Sequence, residues 1–127
     1  MALLILVGPF LFGQVVLNYS ANQTPTYKEV IAAYEKLAKA HPNAQLVEVG
    51  TTDSGRPLHL FLMQRKAFTG QENLQQLAKG KVVVLINNGI HPGESCGIDA
   101  SLLMAQKALL QGIAPNQLVA VVPVYNV

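Results

Sequence analysis

Two runs of consecutive apolar residues constrain this chain most: Lys81-Val-Val-Val-Leu-Ile86 and Leu118-Val-Ala-Val-Val-Pro-Val-Tyr125. Neither shows the polar alternation of a strand with one face in water, so each predicts a strand covered on both faces. Between them, Ser95 to Gln111 carries Ile98, Leu102, Ala105 and Leu109 at helical spacing and ends at Gly112. Strand, helix and strand in this order call for a sheet with helices packed over it.

The first half of the chain extends the pattern. Thr26-Tyr-Lys-Glu29 is a capping box, in which the Glu29 carboxylate reaches back to the cap amide. Tyr27, Val30, Ile31, Tyr34, Leu37 and Ala38 then share one helical face, and His41-Pro42 ends the helix because the residue before proline avoids the α region. Leu46–Val49 and Leu58–Gln64 read as strands joined across the turn Asp53-Ser-Gly-Arg56, an antiparallel pair. Residues 65–80 are polar, with a short helix expected around Glu72–Ala78. The fold class expected is α/β: a mixed, mostly parallel sheet with helices on both faces, incomplete in this chain.

Composition narrows the function classes. The 127 residues allow one domain, and only 13% of them are charged, against about a quarter in ordinary soluble domains. That reads as a core segment with much of its surface meant to be covered. Net charge is +2, and the nine basic residues are scattered without interleaved aromatics, which gives nucleic-acid binding no support. Cys96 is alone, so no internal disulfide is possible; a small, partly buried residue is expected. Ala2 to Phe12 is almost wholly apolar, too short to span a membrane but suited to the apolar part of a secretory signal. Residues 1–13 are accordingly expected to be a signal peptide, despite the lack of a positive start, and the protein secreted or periplasmic. The sequons at Asn18 and Asn22 would matter only in a eukaryotic secretory route.

Two motifs compete in the loop after the first apolar strand. His91-x-x-Glu94 places an imidazole and a carboxylate where helix-covered sheets gather ligands, beyond the strand carboxyl ends. Zinc accepts both donor types, and a catalytic site takes three protein ligands plus water. Gly93-Glu-Ser-Cys-Gly97 fits the G-x-S-x-G nucleophile elbow of a serine esterase and is rarer by chance. Its context is wrong, however. An elbow serine sits at the strand tip, whereas several loop residues precede Gly93, no HGGG motif lies upstream, and no histidine follows Ser95. Ser95 is expected to be the N-cap of the helix.

With these residues in view, the chain resembles the N-terminal part of a zinc carboxypeptidase of the M14 metallopeptidase family. Val47-Glu-Val-Gly-Thr-Thr-Asp-Ser-Gly-Arg-Pro-Leu-His-Leu60 is similar to the family's opening strand pair and turn. Lys81 to Glu94 resembles the central strand that delivers its H-x-x-E zinc pair, and Val121-Val-Pro-Val-Tyr-Asn126 the strand leading to its Asn-x-Asp-Gly segment. The likeness covers about residues 26–127 in order. It implies that residues 14–127 are the N-terminal portion of a zinc peptidase catalytic domain, that His91 and Glu94 are the first two zinc ligands, and that the substrate is a peptide or related amide cut at its C-terminal residue. The family's third ligand, substrate-binding arginines and catalytic glutamate would lie beyond Val127, so no catalytic residue is expected in this chain, and the chain alone is expected to be inactive. Gly93 departs from the arginine that digestive members carry before the zinc glutamate, which puts their substrate preference in doubt here.

Other polar residues read more plainly. His59 is expected to be packed or at the surface, His41 to end a helix, Arg56 to sit in a turn, and Asn87-Asn88-Gly89 to shape the loop. Asp99 reads as a cap-region charge, with a contact supporting the site as the sharper option. A serine esterase using Ser95 and a non-catalytic peptide- or glycan-binding module are the alternatives to the zinc enzyme.

Overall fold

Thr26 opens the first helix, α1 (Tyr27–Ala40), through a complete capping box: its backbone N–H donates to Glu29 Oε2 at 2.7 Å, and its hydroxyl oxygen accepts from the Glu29 N–H. These Thr26 hydrogen bonds hold the Glu29 carboxyl below the usual carboxylate range. The computed structural model describes residues 23–70, 73–91 and 93–127; the expected signal peptide and the asparagines of both sequons lie outside them. Val30, Ile31, Tyr34 and Leu37 are buried along one face of α1, as their spacing requires. The helix stops at His41, whose extended backbone precedes Pro42.

Strands β1 (Ala44–Thr51) and β2 (Pro57–Gln64) pair antiparallel, with a register shift between Glu48 and Gly50. Gly55, at φ 79°, takes the left-handed step in the turn that joins them. A short helix α2 (Leu74–Ala78) leads to β3 (Val82–Asn87), then α3 (Cys96–Gln111) and β4 (Gln117–Val122). The sheet order is β1-β2-β4-β3, with β2–β4 antiparallel and β3–β4 parallel. It is a mixed sheet with helices on both faces, as expected; within the described residues its parallel part is the β3–β4 pairing. No helix among the described residues is long and apolar enough to cross a membrane.

Alternation along the inner strands separates two layers. Phe61 and Met63 of β2 and Val119 and Val121 of β4 face α1 and α3, where the Tyr34 and Phe61 rings pack at a tilt with centroids 4.8 Å apart. Leu62, Leu118 and Ala120 face the other way and close on Leu77 of α2. Interdigitated side chains at these positions give the sheet its hydrophobic grip.

Three expectations need correction. The first apolar run is not covered on both faces: Val82, Val83, Val84 and Leu85 of β3 are 38–63% exposed. The physical reason is reach. α1 and α3 lie over β2 and β4, and α2 is five residues long, so among the described residues only Ile86 of β3 joins the core. The second run is shorter than expected, since β4 ends at Val122, before Pro123, which has no N–H for a ladder. Cys96, expected to be partly buried, is exposed.

Candidate metal centre

The candidate ligands lie in the loop that follows β3, and its first residues, Asn88 to Ile90, are held from two sides. The Asn88 N–H donates to Val122 O, and the Asn88 and Gly89 carbonyls accept from the N–H groups of Tyr125 (2.8 Å) and Asn126 (2.9 Å). The Asn126 side chain donates to Ile90 O. The strand that ends in β4 thus continues as a brace along the loop. The buried Asn88 amide donates to Ser101 Oγ of α3 (2.8 Å) and to Val122 O (3.0 Å). Gly89 is forced to be glycine: its φ is 61°, and a Cβ there would meet Val124 Cγ1 at 3.1 Å.

His91 and Glu94 come together at the outer end of this braced loop. A turn from His91 O to Glu94 N–H (3.2 Å) folds the segment back, with Gly93 at φ 92°. His91 Nδ1 then lies 3.2 Å from Glu94 Oε2, with both side chains largely exposed, 73% and 68%. With metal–donor distances of about 2.0–2.1 Å and tetrahedral angles, two zinc ligands lie ~3.3 Å apart. The two groups are in direct hydrogen-bond contact, at a separation that two donors of one zinc ion also have, and their exposure leaves space for further ligands. Among the described residues no group of three His, Cys, Asp or Glu side chains could hold a metal ion.

The remaining polar residues stand apart from this pair. His59 Nδ1 is 3.3 Å from Tyr27 Oη, and the Arg56 guanidinium lies 5.2 Å from the Tyr27 ring centroid. Burial raises the Tyr27 hydroxyl above its ordinary value, against the pull of Arg56. His41 is the C-cap of α1. Ser95 occupies the N-cap position of α3, yet in the αR conformation and without a cap hydrogen bond from its side chain, so the expected capping role is not filled. Asp99, one turn into α3, is buried, and its Oδ1 has no partner among the described residues; burial raises its carboxyl above the usual range. It lies in the first turn of α3, as expected of a cap-region charge, but it is buried.

Sequence reasoning missed the parts that hold the loop. Asn88 was a turn-shaping residue by its neighbours Asn87 and Gly89, and its burial has one sequence correlate, Gly97, where a Cβ would meet Asn88 Oδ1 at 3.2 Å. Ser101 carries no local signal, and Asn126 has only its place at the end of the stretch that resembles the family, which says nothing of a brace on the loop.

Comparison with known proteins follows the same lines. The zinc carboxypeptidase family model, peptidase M14, matches residues 30–124. Carboxypeptidase A from Helicoverpa armigera is similar in structure, with TM-score 0.64 and 25% identity, over 81% of this chain and 24% of that one. A metallo-carboxypeptidase from Burkholderia cenocepacia gives TM-score 0.58 and 22% identity, over 80% of this chain and 27% of its own. Bovine thrombin-activatable fibrinolysis inhibitor, solved in complex with tick carboxypeptidase inhibitor, gives TM-score 0.57 and 15% identity, over 83% and 32%. The chain thus spans about a quarter to a third of the length of these solved structures. No curated protein matches its sequence.

Proposed function

This chain belongs to the zinc carboxypeptidase family, and on that premise we propose that it forms part of the catalytic domain of a zinc-dependent metallocarboxypeptidase acting on a peptide or related amide. His91 and Glu94 are the residues that would hold the metal. The observation that carries this reading is their 3.2 Å separation at the carboxyl end of β3, inside the stretch matched by the family.

When bound, zinc supplies Lewis acidity toward a carbonyl oxygen and toward water. The protein's share here is to present donors. His91 offers an imidazole nitrogen, and Glu94 a carboxylate oxygen. The Asn88, Tyr125 and Asn126 hydrogen bonds restrain the loop, which lowers the ordering cost of bringing the two donors to one cation. The third donor and the glutamate that accepts the water proton belong, in this proposal, to polypeptide beyond Val127. Two donors alone grip zinc weakly, so the 127-residue chain is inactive by itself. Residues 1–13 would serve as a signal peptide, and the enzyme would be secreted or periplasmic. Gly93 leaves the residue preference of the enzyme open to a type other than the digestive one.

The test uses a longer polypeptide that contains this chain. It should hold about one zinc by elemental analysis and release C-terminal residues in a chelator-sensitive reaction, and His91→Ala and Glu94→Gln should each abolish both. Full turnover in His91→Ala, or activity that survives chelator and is lost on labelling Ser95, would overturn it.

A further inference from the structure

At the opposite end of the sheet, where β2 ends and β3 begins, a cavity of about 380 Å³ is lined by Gln64, Arg65, Lys66, Gln76, Lys81 and Pro115, with Leu77 beneath. From this cavity we infer a binding site for a small ligand that bears an oxyanion, such as a phosphate or sulfate group. The length of β3, roughly 20 Å, separates it from the His91–Glu94 loop. It stands independently of the metal reading.

Three features carry the inference. The first is charge: three cationic side chains line one concavity, and none of the described residues that line it is acidic. A concave wall of one sign concentrates the field and draws in the opposite ion. The second is order. Gln64 is buried, 5% exposed, and its Oε1 accepts from Lys81 Nζ. The Lys81 N–H donates in turn to Ala78 O at the end of α2. Lys81 is therefore held at both backbone and head group, and Gln64 takes one of the three donors of its ammonium. With its oxygen taken by Lys81, the other polar end of the Gln64 amide is also a donor. The third is size, because about 300–1,000 Å³ is usual for small-molecule sites, which is more than a bare ion needs and suits an oxyanion on a sugar-sized body.

Calorimetric titration of the 127-residue chain tests this, with inorganic phosphate, glucose 6-phosphate and glucose as probes. Both anions should bind saturably, glucose should not, and affinity should fall as salt rises from about 0.05 to 0.5 M. Tighter binding of glucose 6-phosphate than of phosphate identifies an organic phosphate as the ligand type; equal affinities identify the free ion. Lys81→Gln risks the fold, because it strands buried Gln64, so the decisive variant is Arg65→Gln/Lys66→Gln, both exposed positions. It should weaken binding by about tenfold or more, with an unchanged circular dichroism spectrum. Lys107→Gln, on α3 and outside the cavity, should bind like the parent. No saturable binding at millimolar anion, or equal losses in the Lys107 and Arg65/Lys66 variants, would overturn the assignment.

Discussion

Asn88 Nδ2 lies 2.8 Å from Ser101 Oγ, tying the loop after β3 to α3. Ser101 is a three-way junction. Its hydroxyl proton goes to Ile98 O at 3.0 Å, which leaves its lone pairs for Asn88 and for Tyr34 Oη at 3.1 Å. Ser101→Ala should cost about 1–3 kcal/mol, because it strands buried donors. Thermal melting would show this as a fall of roughly 3–5 °C per kcal/mol. Asn88→Ala should cost a similar amount, and the double variant less than the sum, since both changes break one bond.

His91 and Glu94 make the opposite prediction. Their side chains are mostly in solvent, so His91→Ala and Glu94→Gln should leave urea stability of this chain within about 0.5 kcal/mol. Metal uptake of the longer polypeptide should nevertheless be lost. A stability loss well above that, measured on the same preparations, would mean that the pair serves the fold and not a cation.

Burial pushes the Tyr34 hydroxyl up to about 12. An unfolded tyrosine releases its proton near 10. Between the two values unfolding releases a proton, so stability is full below about 10 and declines as pH climbs toward 12, by about 2–3 kcal/mol in all. Denaturant titrations from pH 8 to 11.5 should show this slope. Tyr34→Phe should flatten it, at a constant penalty for the lost bond to Ser101.

Asp99 works in the acid range. Its carboxyl is raised by burial, so the folded chain favours the protonated form. That contribution is complete below the unfolded value and is lost as pH rises through the folded one, which leaves an unfavourable buried charge at neutrality. Asp99→Asn should therefore stabilise the chain at pH 7, and the gain should shrink as pH approaches 3–4. A destabilised Asp99→Asn at pH 7 would show that the folded chain favours the carboxylate, as the first turn of α3 does for a negative charge.

The β3 edge predicts self-association. Among the described residues β3 pairs on one side only, and Val83 and Leu85 point from it into solvent on the same face. An apolar edge without a charge is a template for another strand. Val83→Lys/Leu85→Lys should raise the concentration at which light scattering first detects oligomers, with little change in melting temperature.

What the sequence disclosed follows distance along the chain. The capping box of Thr26 and Glu29, the buried face of α1, the Gly55 turn and the Gly112 stop all depend on neighbours within about a turn or two. The meeting of His91 and Glu94 is local in the same sense, three residues apart across Gly93. Cover over β3 was misjudged because a continuous apolar run reports the surroundings that its residues favour, not whether those surroundings are within the chain. Burial of Asn88 was invisible because Ser101 and Val122, its partners, are 13 and 34 residues away. Ser95 misled through residue type, since serine suits an N-cap only when its own backbone is extended.

The sheet order also sets a timetable. β2 and β3 are each complete tens of residues before β4, yet β4 is the strand that stands between them. On a ribosome the hairpin and α1 can form early, whereas among the described residues β3 has no neighbouring strand until residues 117–122 emerge. Closing such distant pairings is slow, so the two halves stay separate until the last strand slides in. The brace that follows it, Tyr125 and Asn126, then fixes the His91 loop. The loop that carries His91 and Glu94 is thus among the last parts of this chain to acquire its shape, after the strand that braces it.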